Sequence, residues 1–377
     1  MSSRFHHYRC WVEVDLDALR HNVVAIRRRI GPGTKLMAVV KADAYGHGLS
    51  HVAPVLMHCG VDAFGVANLG EALALRQLGG HGWPILLFGS ALPFEVAKMV
   101  EQDITPTLST VAEAEMFAAE AARRGKRFRV QVEVDTGMGR VGLWHEDALE
   151  QIRSVAALPQ LEIEALFTHF PSADENLDAS RQALGNFLRV AEAVRATGVA
   201  APMLHAANSA ALLNLPEATL DMVRPGLLLY GIGGAAAEFT PALTFKARVA
   251  FVKSVASGRT ISYGQTFVAN KPMRIATVAA GYADGFSRHL SNKAEVLIGG
   301  ARCRVVGRVT MDQIMVDVST AADVKCGDEV VFIGRQGAAE VTAAEVAGWE
   351  ETIPWEVLCG ITKTARVPRL YRGARAA

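Results

Sequence analysis

The chain has 377 residues, half of them hydrophobic and a fifth charged, with 39 Lys plus Arg against 38 Asp plus Glu. That length exceeds one ordinary core and suits two domains, and a charge balance so near neutrality gives no basic field for nucleic acid or an anionic membrane. Five scattered cysteines (Cys10, Cys59, Cys303, Cys326, Cys359) include no CxxC pair, and no run reaches the ~18 apolar residues of a membrane span, so the expectation is a cytoplasmic protein with reduced thiols and no metal site.

The opening "RCWVEVDLDALRHNV" reads as a strand followed by a helix capped at Asp15 or Asp17. Short β-rich runs then alternate with alanine- and arginine-rich helical stretches. The runs are "LMAVVKADA" (36–44), "AFGVAN" (63–68), "PILLFGS" (84–90), "ITPTLS" (104–109), "FRVQVEVDTG" (128–137), "LEIEALFTHF" (161–170), "PMLHAANS" (202–209) and "DMVRPGLLLYG" (221–231). Eight strands alternating with helices predict a (β/α)8 barrel, whose site lies at the C-terminal strand ends. From "TFKARVAFVKSVASGRTISYGQTF" onward, β-branched and polar residues alternate around glycine turns, which predicts a mostly-β domain. The expected division is a barrel over 12–240 and a β domain over 241–377, joined by the N-terminal strand within 1–14.

The polar residues closing the barrel strands are Lys41 with Tyr45, Asn68, Ser90, Glu133 with Asp135 and Arg140, His169, His205 with Asn208 and Ser209, and Arg224. Taken singly, a strand-end histidine is a satisfied structural residue and an arginine an ion-pair partner. Together they aim at one face of the barrel. A lysine held against an apolar strand loses hydration, which lowers its pKa and yields an amine able to form a Schiff base. The alternative is a solvated lysine just past the strand end. Against it stand groups that suit a phosphate: the Tyr45 hydroxyl, Ser209, and the backbone N–H groups of Gly226 and Leu227, since Pro225 cannot donate. A Schiff-base lysine beside a phosphate cradle on such a barrel points to pyridoxal phosphate.

At this point the chain resembles the alanine racemase family, the fold-type III pyridoxal-phosphate racemases, over nearly its whole length. The stretches that carry the resemblance are "VVKADAYGHG", "VEVDTGMGRVG", "FTHF", "HAANSAA", "VRPGLLLYG", "ISYGQTF", "AGYADGF", "GRVTMDQIMVDVS" and "RVPRLY", nine in family order. The resemblance implies that Lys41 carries the cofactor, that Tyr45, Asn208, Ser209, Gly226 and Leu227 hold its phosphate end, and that Arg224 faces the pyridine nitrogen with His169 beside it. It implies that Tyr263 is the second base and that Arg140 and Met311 meet the substrate, with Asp312 and Tyr282 in support. In the family the tyrosine and the methionine come from the partner subunit, so a homodimer with shared sites is implied. The implied reaction is interconversion of L- and D-alanine, supplying D-alanine for peptidoglycan.

Elementary chemistry supports these roles. Arginine only donates hydrogen bonds, so a ring nitrogen bonded to Arg224 must be unprotonated, which makes the ring a weaker electron sink and limits side reactions. Racemisation needs a base on each face of the reacting carbon, Lys41 on one and Tyr263 on the other. A basic-amino-acid decarboxylase would put a carboxylate where "VRPG" puts an arginine, and a non-catalytic carrier of the cofactor would lack the β domain and Tyr263.

Two positions depart from the family pattern. Some relatives carry a carbamylated lysine seven residues before the arginine of "DTGMGR"; here that residue is Glu133, expected to orient Arg140 with its own carboxylate. Where relatives have a tyrosine before "RVPR", this chain has Ala365, with extra residues around Lys363 and Thr364. The open space predicts a broader or serine-preferring racemase as the alternative to an alanine racemase.

Overall fold

The computed structural model describes residues 8–199, 202–234, 238–321, 323–361, 363 and 365–373. The chain divides into two compact units. Of the described residues, one unit comprises those within 19–44 and 49–240; the other gathers 8–18, the tetrapeptide Tyr45–Gly48 and those within 241–373.

The first unit is a closed barrel of eight parallel strands: Lys35–Val39, Ala63–Val66, Ile85–Leu87, Ile104–Leu108, Phe128–Asp135, Leu161–Phe167, Met203–His205 and Met222–Val223. Each pairs with the next, and Met222–Val223 returns to Lys35–Val39 to close the ring. Because successive side chains on a strand point to opposite faces, one set fills the interior. Met37, Ala63, Leu86, Phe167 and Met222 pack together there, with Phe88 and Met203 against them. Helices lie between the strands with legible punctuation. Thr110 and Glu113 form a reciprocal capping box on Val111–Arg123, and Gly125 follows that helix at φ +66°, a left-handed position that glycine takes without strain.

All eight strands end short of their sequence runs, and the first and last show why. The run 36–44 is extended only to Val39, because Ala42, Asp43, Ala44 and Tyr45 all have φ between +52° and +57° and form one left-handed turn. The run 221–231 keeps only Met222–Val223 as strand. Pro225 removes a ladder donor, and Leu227–Tyr230 coils into a 3-10 turn.

The second unit is built on a nine-stranded sheet with the 13-residue strand Leu243–Val255 at its centre. The N-terminal strand Cys10–Asp15 runs antiparallel to it and parallel to Arg369–Arg372. Asp15 Oδ1 then accepts from the N–H groups of Asp17 and Ala18, so Asp15 caps the helix Leu16–Ile30. Within this sheet Glu13 is buried but compensated: it accepts from Trp11 Nε1 at 3.0 Å and pairs with Lys246 at 3.3 Å and Arg372 at 2.7 Å.

Candidate active site

In the barrel unit Lys41 stands two residues past the end of the first barrel strand, half-buried, at the start of the left-handed turn. Aspartate enters that conformation singly, but a run of four residues does not hold it unaided, and the turn is held from outside. Glu71 accepts from the N–H of Ala42 at 2.7 Å and of Ala67 at 2.9 Å, and Asp43 Oδ1 accepts from Leu49 N–H at 2.7 Å. Tyr45, the last residue of the turn, falls in the other unit. Burial raises its phenol pKa, with the Cys359 thiol adding to the effect.

Arg224 follows the last barrel strand and is only 3 % exposed. Its Nη1 donates to His205 Nδ1 at 2.6 Å, and its Nη2 donates to the carbonyls of Thr168 at 2.7 Å and Ala206 at 3.1 Å. Both the guanidinium and the His205 ring lie on Phe167, the first at 5.1 Å and the second stacked at 4.8 Å. Burial brings the Arg224 pKa down to about 10. A guanidinium has five N–H groups, and these bonds engage three. The Nε–H and one Nη1–H keep no acceptor among the described residues.

His169 is neutral: burial, then Arg224, Arg140 and Lys41, push its pKa down to about 3. Glu133 is 2 % exposed, and burial, opposed by Arg224 and Arg140, lifts its carboxyl to about 7. The expected ion pair between Glu133 and Arg140 is not formed: among the described residues no hydrogen bond or salt bridge joins them. Arg140 sits instead at the end of a loop shaped by Asp135, whose two carboxylate oxygens each accept at 2.8 Å, from Gly137 N–H and Gly139 N–H. Gly137 at φ +137° and Gly139 at +65° make that tight return possible.

At the far end of the group, Ser209 Oγ accepts from the N–H of Gly226 at 3.0 Å and of Leu228 at 3.2 Å. Gly226 is engaged by the serine, while Leu227 N–H at the start of its 3-10 turn, the Ser209 hydroxyl hydrogen, and the first N–H groups of the helix Ser209–Asn214 remain as donors. Asn208 caps that helix by accepting from Ala211 N–H at 2.9 Å, which commits its carbonyl. Asn68 likewise caps the helix Leu69–Gly79, and Ser90 bonds Ser109.

In the β unit, Tyr263 is 71 % exposed on a turn that the chain holds under strain. Ser262 has φ +67° and ψ −179°, a region nearly reserved for glycine, and its hydroxyl donates to Arg308 O at 2.6 Å. A Cβ on Gly307 would come within 2.7 Å of Ser262 Cβ, and one on Gly264 within 2.7 Å of Arg308, so two glycines let the loops close together. Met311 is also exposed, and its carbonyl accepts from Ala283 N–H at 3.0 Å, beside Tyr282. Asp312 pairs with Arg366 at 2.6 Å, and the same arginine reaches Asp284 at 3.1 Å. Ala365 is exposed, as is Lys363; Thr364 lies outside the described residues.

Residues 14–233 match the family model described as alanine racemase, N-terminal domain, and residues 242–371 match its C-terminal domain. The chain belongs to the alanine racemase family. The alanine racemase of Desulforamulus reducens is 43 % identical over 96 % of this chain and 99 % of its own length, and that of Symbiobacterium thermophilum is 43 % identical over 97 % and 98 %. Among solved structures, alanine racemase of Clostridium difficile 630 superimposes with a TM-score of 0.89 at 36 % identity, covering 98 % of this chain and 97 % of that one. The alanine racemase of Bartonella henselae with covalently bound pyridoxal phosphate gives a TM-score of 0.89 at 28 % identity, covering 97 % and 99 %.

Several supports in this racemase-family site escape a strand-end reading. Glu71 was within reach of sequence, since "NLGE" places it at the third helical position after a capping asparagine. Gln131, Glu164 and Thr168 carry no such signal, because a polar residue on a barrel strand reads as surface until the register is known.

Proposed function

We propose that this protein racemises alanine with pyridoxal phosphate as its cofactor, and the observation that carries the reading is the buried Arg224 with two donors unclaimed beside Lys41, His169 and Arg140. The donor set suits that group. Lys41 supplies the amine, Arg224 the donors for an unprotonated ring nitrogen, and Leu227 N–H with the Ser209 hydroxyl and Tyr45 the donors for phosphate. When bound, the cofactor would supply an imine to Lys41 and a conjugated ring that acidifies the substrate Cα–H.

The chain's own groups then divide the work. Lys41 Nζ moves the proton on one face of Cα, and the hydroxyl of Tyr263, from the partner subunit, moves it on the other. Arg140 binds the substrate carboxylate, held in place by the Asp135 turn. His169, kept neutral, adds no positive charge beside the ring, so Arg224 alone sets the protonation there. This reading makes the enzyme a homodimer with shared sites. It also places it in the cytoplasm, where D-alanine enters peptidoglycan precursors. Among the described residues no helix is long and apolar enough to cross a membrane.

The exposed Ala365 favours one widening of the substrate range, since one added hydroxyl changes binding by only ~1–3 kcal/mol in an apolar pocket. Purified protein incubated with L-alanine and L-serine, scored by chiral chromatography, should give D-alanine fastest and D-serine measurably. No D-product from either would overturn the function; D-alanine without D-serine would leave a strict alanine racemase.

A further inference from the structure

A continuous polar chain crosses the barrel interior beneath the site. From Arg224 it runs to His205 Nδ1 at 2.6 Å, from His205 Nε2 to Gln131 Oε1 at 2.9 Å, and from Gln131 Nε2 to Glu164 Oε1 at 2.9 Å. Arg129 lies 3.6 Å from the other oxygen of Glu164. His205 is fully buried and Gln131 is 2 % exposed.

The direction of every bond in this chain is set from both ends, by the donor-only guanidinium of Arg224 and by the acceptor-only carboxylate of Glu164. Arginine can only donate, so His205 Nδ1 must accept and bear no hydrogen. The neutral imidazole then carries its hydrogen on Nε2 and donates to Gln131 Oε1. That fixes which way the Gln131 amide faces, and its NH2 donates to Glu164. A carboxylate ends the sequence because it only accepts. Reversal at any point would set two donors or two acceptors against each other inside the barrel.

We infer that Gln131 and Glu164 are positioning residues that hold His205 in its Nε2–H tautomer and, through it, hold Arg224 with its Nε–H and one Nη1–H turned free for a ligand. Neither residue touches the reacting atoms. The inference deepens the proposed function and rests on it for why the orientation of Arg224 matters: a guanidinium that rotates loses its hold on an unprotonated ring nitrogen.

The test is nitrogen-15 NMR of holoenzyme labelled in the histidine rings, with His205→Gln to assign the signals. Wild type should show His205 with a protonated Nε2 and a bare Nδ1. Gln131→Met removes both the acceptor for His205 and the donor to Glu164. It should give mixed tautomers and a kcat lower by roughly tenfold or more, with KM for alanine little changed. Cofactor lost to the amine form by transamination should rise per turnover. The exchanged pair Gln131→Glu with Glu164→Gln reverses the bond between positions 131 and 164 but keeps the acceptor for His205, because the carboxylate at position 131 accepts both from the amide at position 164 and from His205 Nε2–H. It should restore the single tautomer and most of kcat, which a merely structural role would not explain. Wild-type His205 protonated at Nδ1 overturns the inference, as does Gln131→Met with the wild-type pattern and kcat, or an exchanged pair that restores neither. Should Gln131→Met fail to fold, the wild type and the exchanged pair still decide. Wild type that makes no D-alanine defeats the proposed function and leaves the tautomer result standing.

Discussion

Glu133 carries the clearest consequence of a single side chain's surroundings. Its ordinary pKa of 4.5 rises to about 7, chiefly by burial and against the pull of Arg224 and Arg140. A carboxyl with a raised folded pKa favours the native state below its unfolded pKa, and that contribution is lost as pH climbs through the folded value. The cofactor-free protein should therefore lose up to about 3 kcal/mol between about pH 4.5 and pH 8 on account of this group. Glu133→Gln should remove that loss, leaving stability little changed near pH 4.5 and higher than wild type above pH 8, read by chemical denaturation at both. Equal effects of the substitution at the two pH values would show that the carboxyl is not strained. The sequence made the position legible through its spacing from Arg140 and the charge type through its identity. It did not reveal that burial would outweigh two arginines, because desolvation depends on what covers a residue in three dimensions. The same limit hid Gln131 and Glu164, whereas Lys41 and Arg224 stood out because a charged residue at a strand end already demands an explanation.

Elements were legible where periodicity and punctuation coincide. Alternating runs gave the barrel strands, and capping residues such as Thr110 gave helix starts. The left-handed turn at Ala42–Tyr45 was not, since alanine carries no mark of positive φ and the fixing contact comes from Glu71, a distant residue. The Tyr263 turn is partly legible, through glycines that admit close approach. Gly307 sits at φ +77° with Ser262 Cβ 2.7 Å from where its own Cβ would be. Gly307→Ala should cost about 1–2 kcal/mol from the backbone alone and displace the Ser262 turn that presents Tyr263. Denaturation midpoints and steady-state kinetics should show lower stability and a lower kcat together. An unaltered kcat would mean that the strained turn has no part in holding the tyrosine.

At the scale of the molecule, the proposed reaction assigns one base to Lys41 and the other to the partner subunit's Tyr263, a residue that is exposed in this chain. Lys41→Ala and Tyr263→Phe subunits, each inactive alone, should regain activity when mixed under conditions that exchange subunits, because a mixed dimer holds one site with both bases intact. Exchange demonstrated by mass with no activity regained would contradict the shared site. The most direct measurement concerns the lysine on which the proposed chemistry rests. Holoenzyme reduced with borohydride, digested and mapped by mass spectrometry should carry its phosphopyridoxyl group on Lys41, and Lys41→Ala should carry none. An adduct on any other lysine would contradict the account.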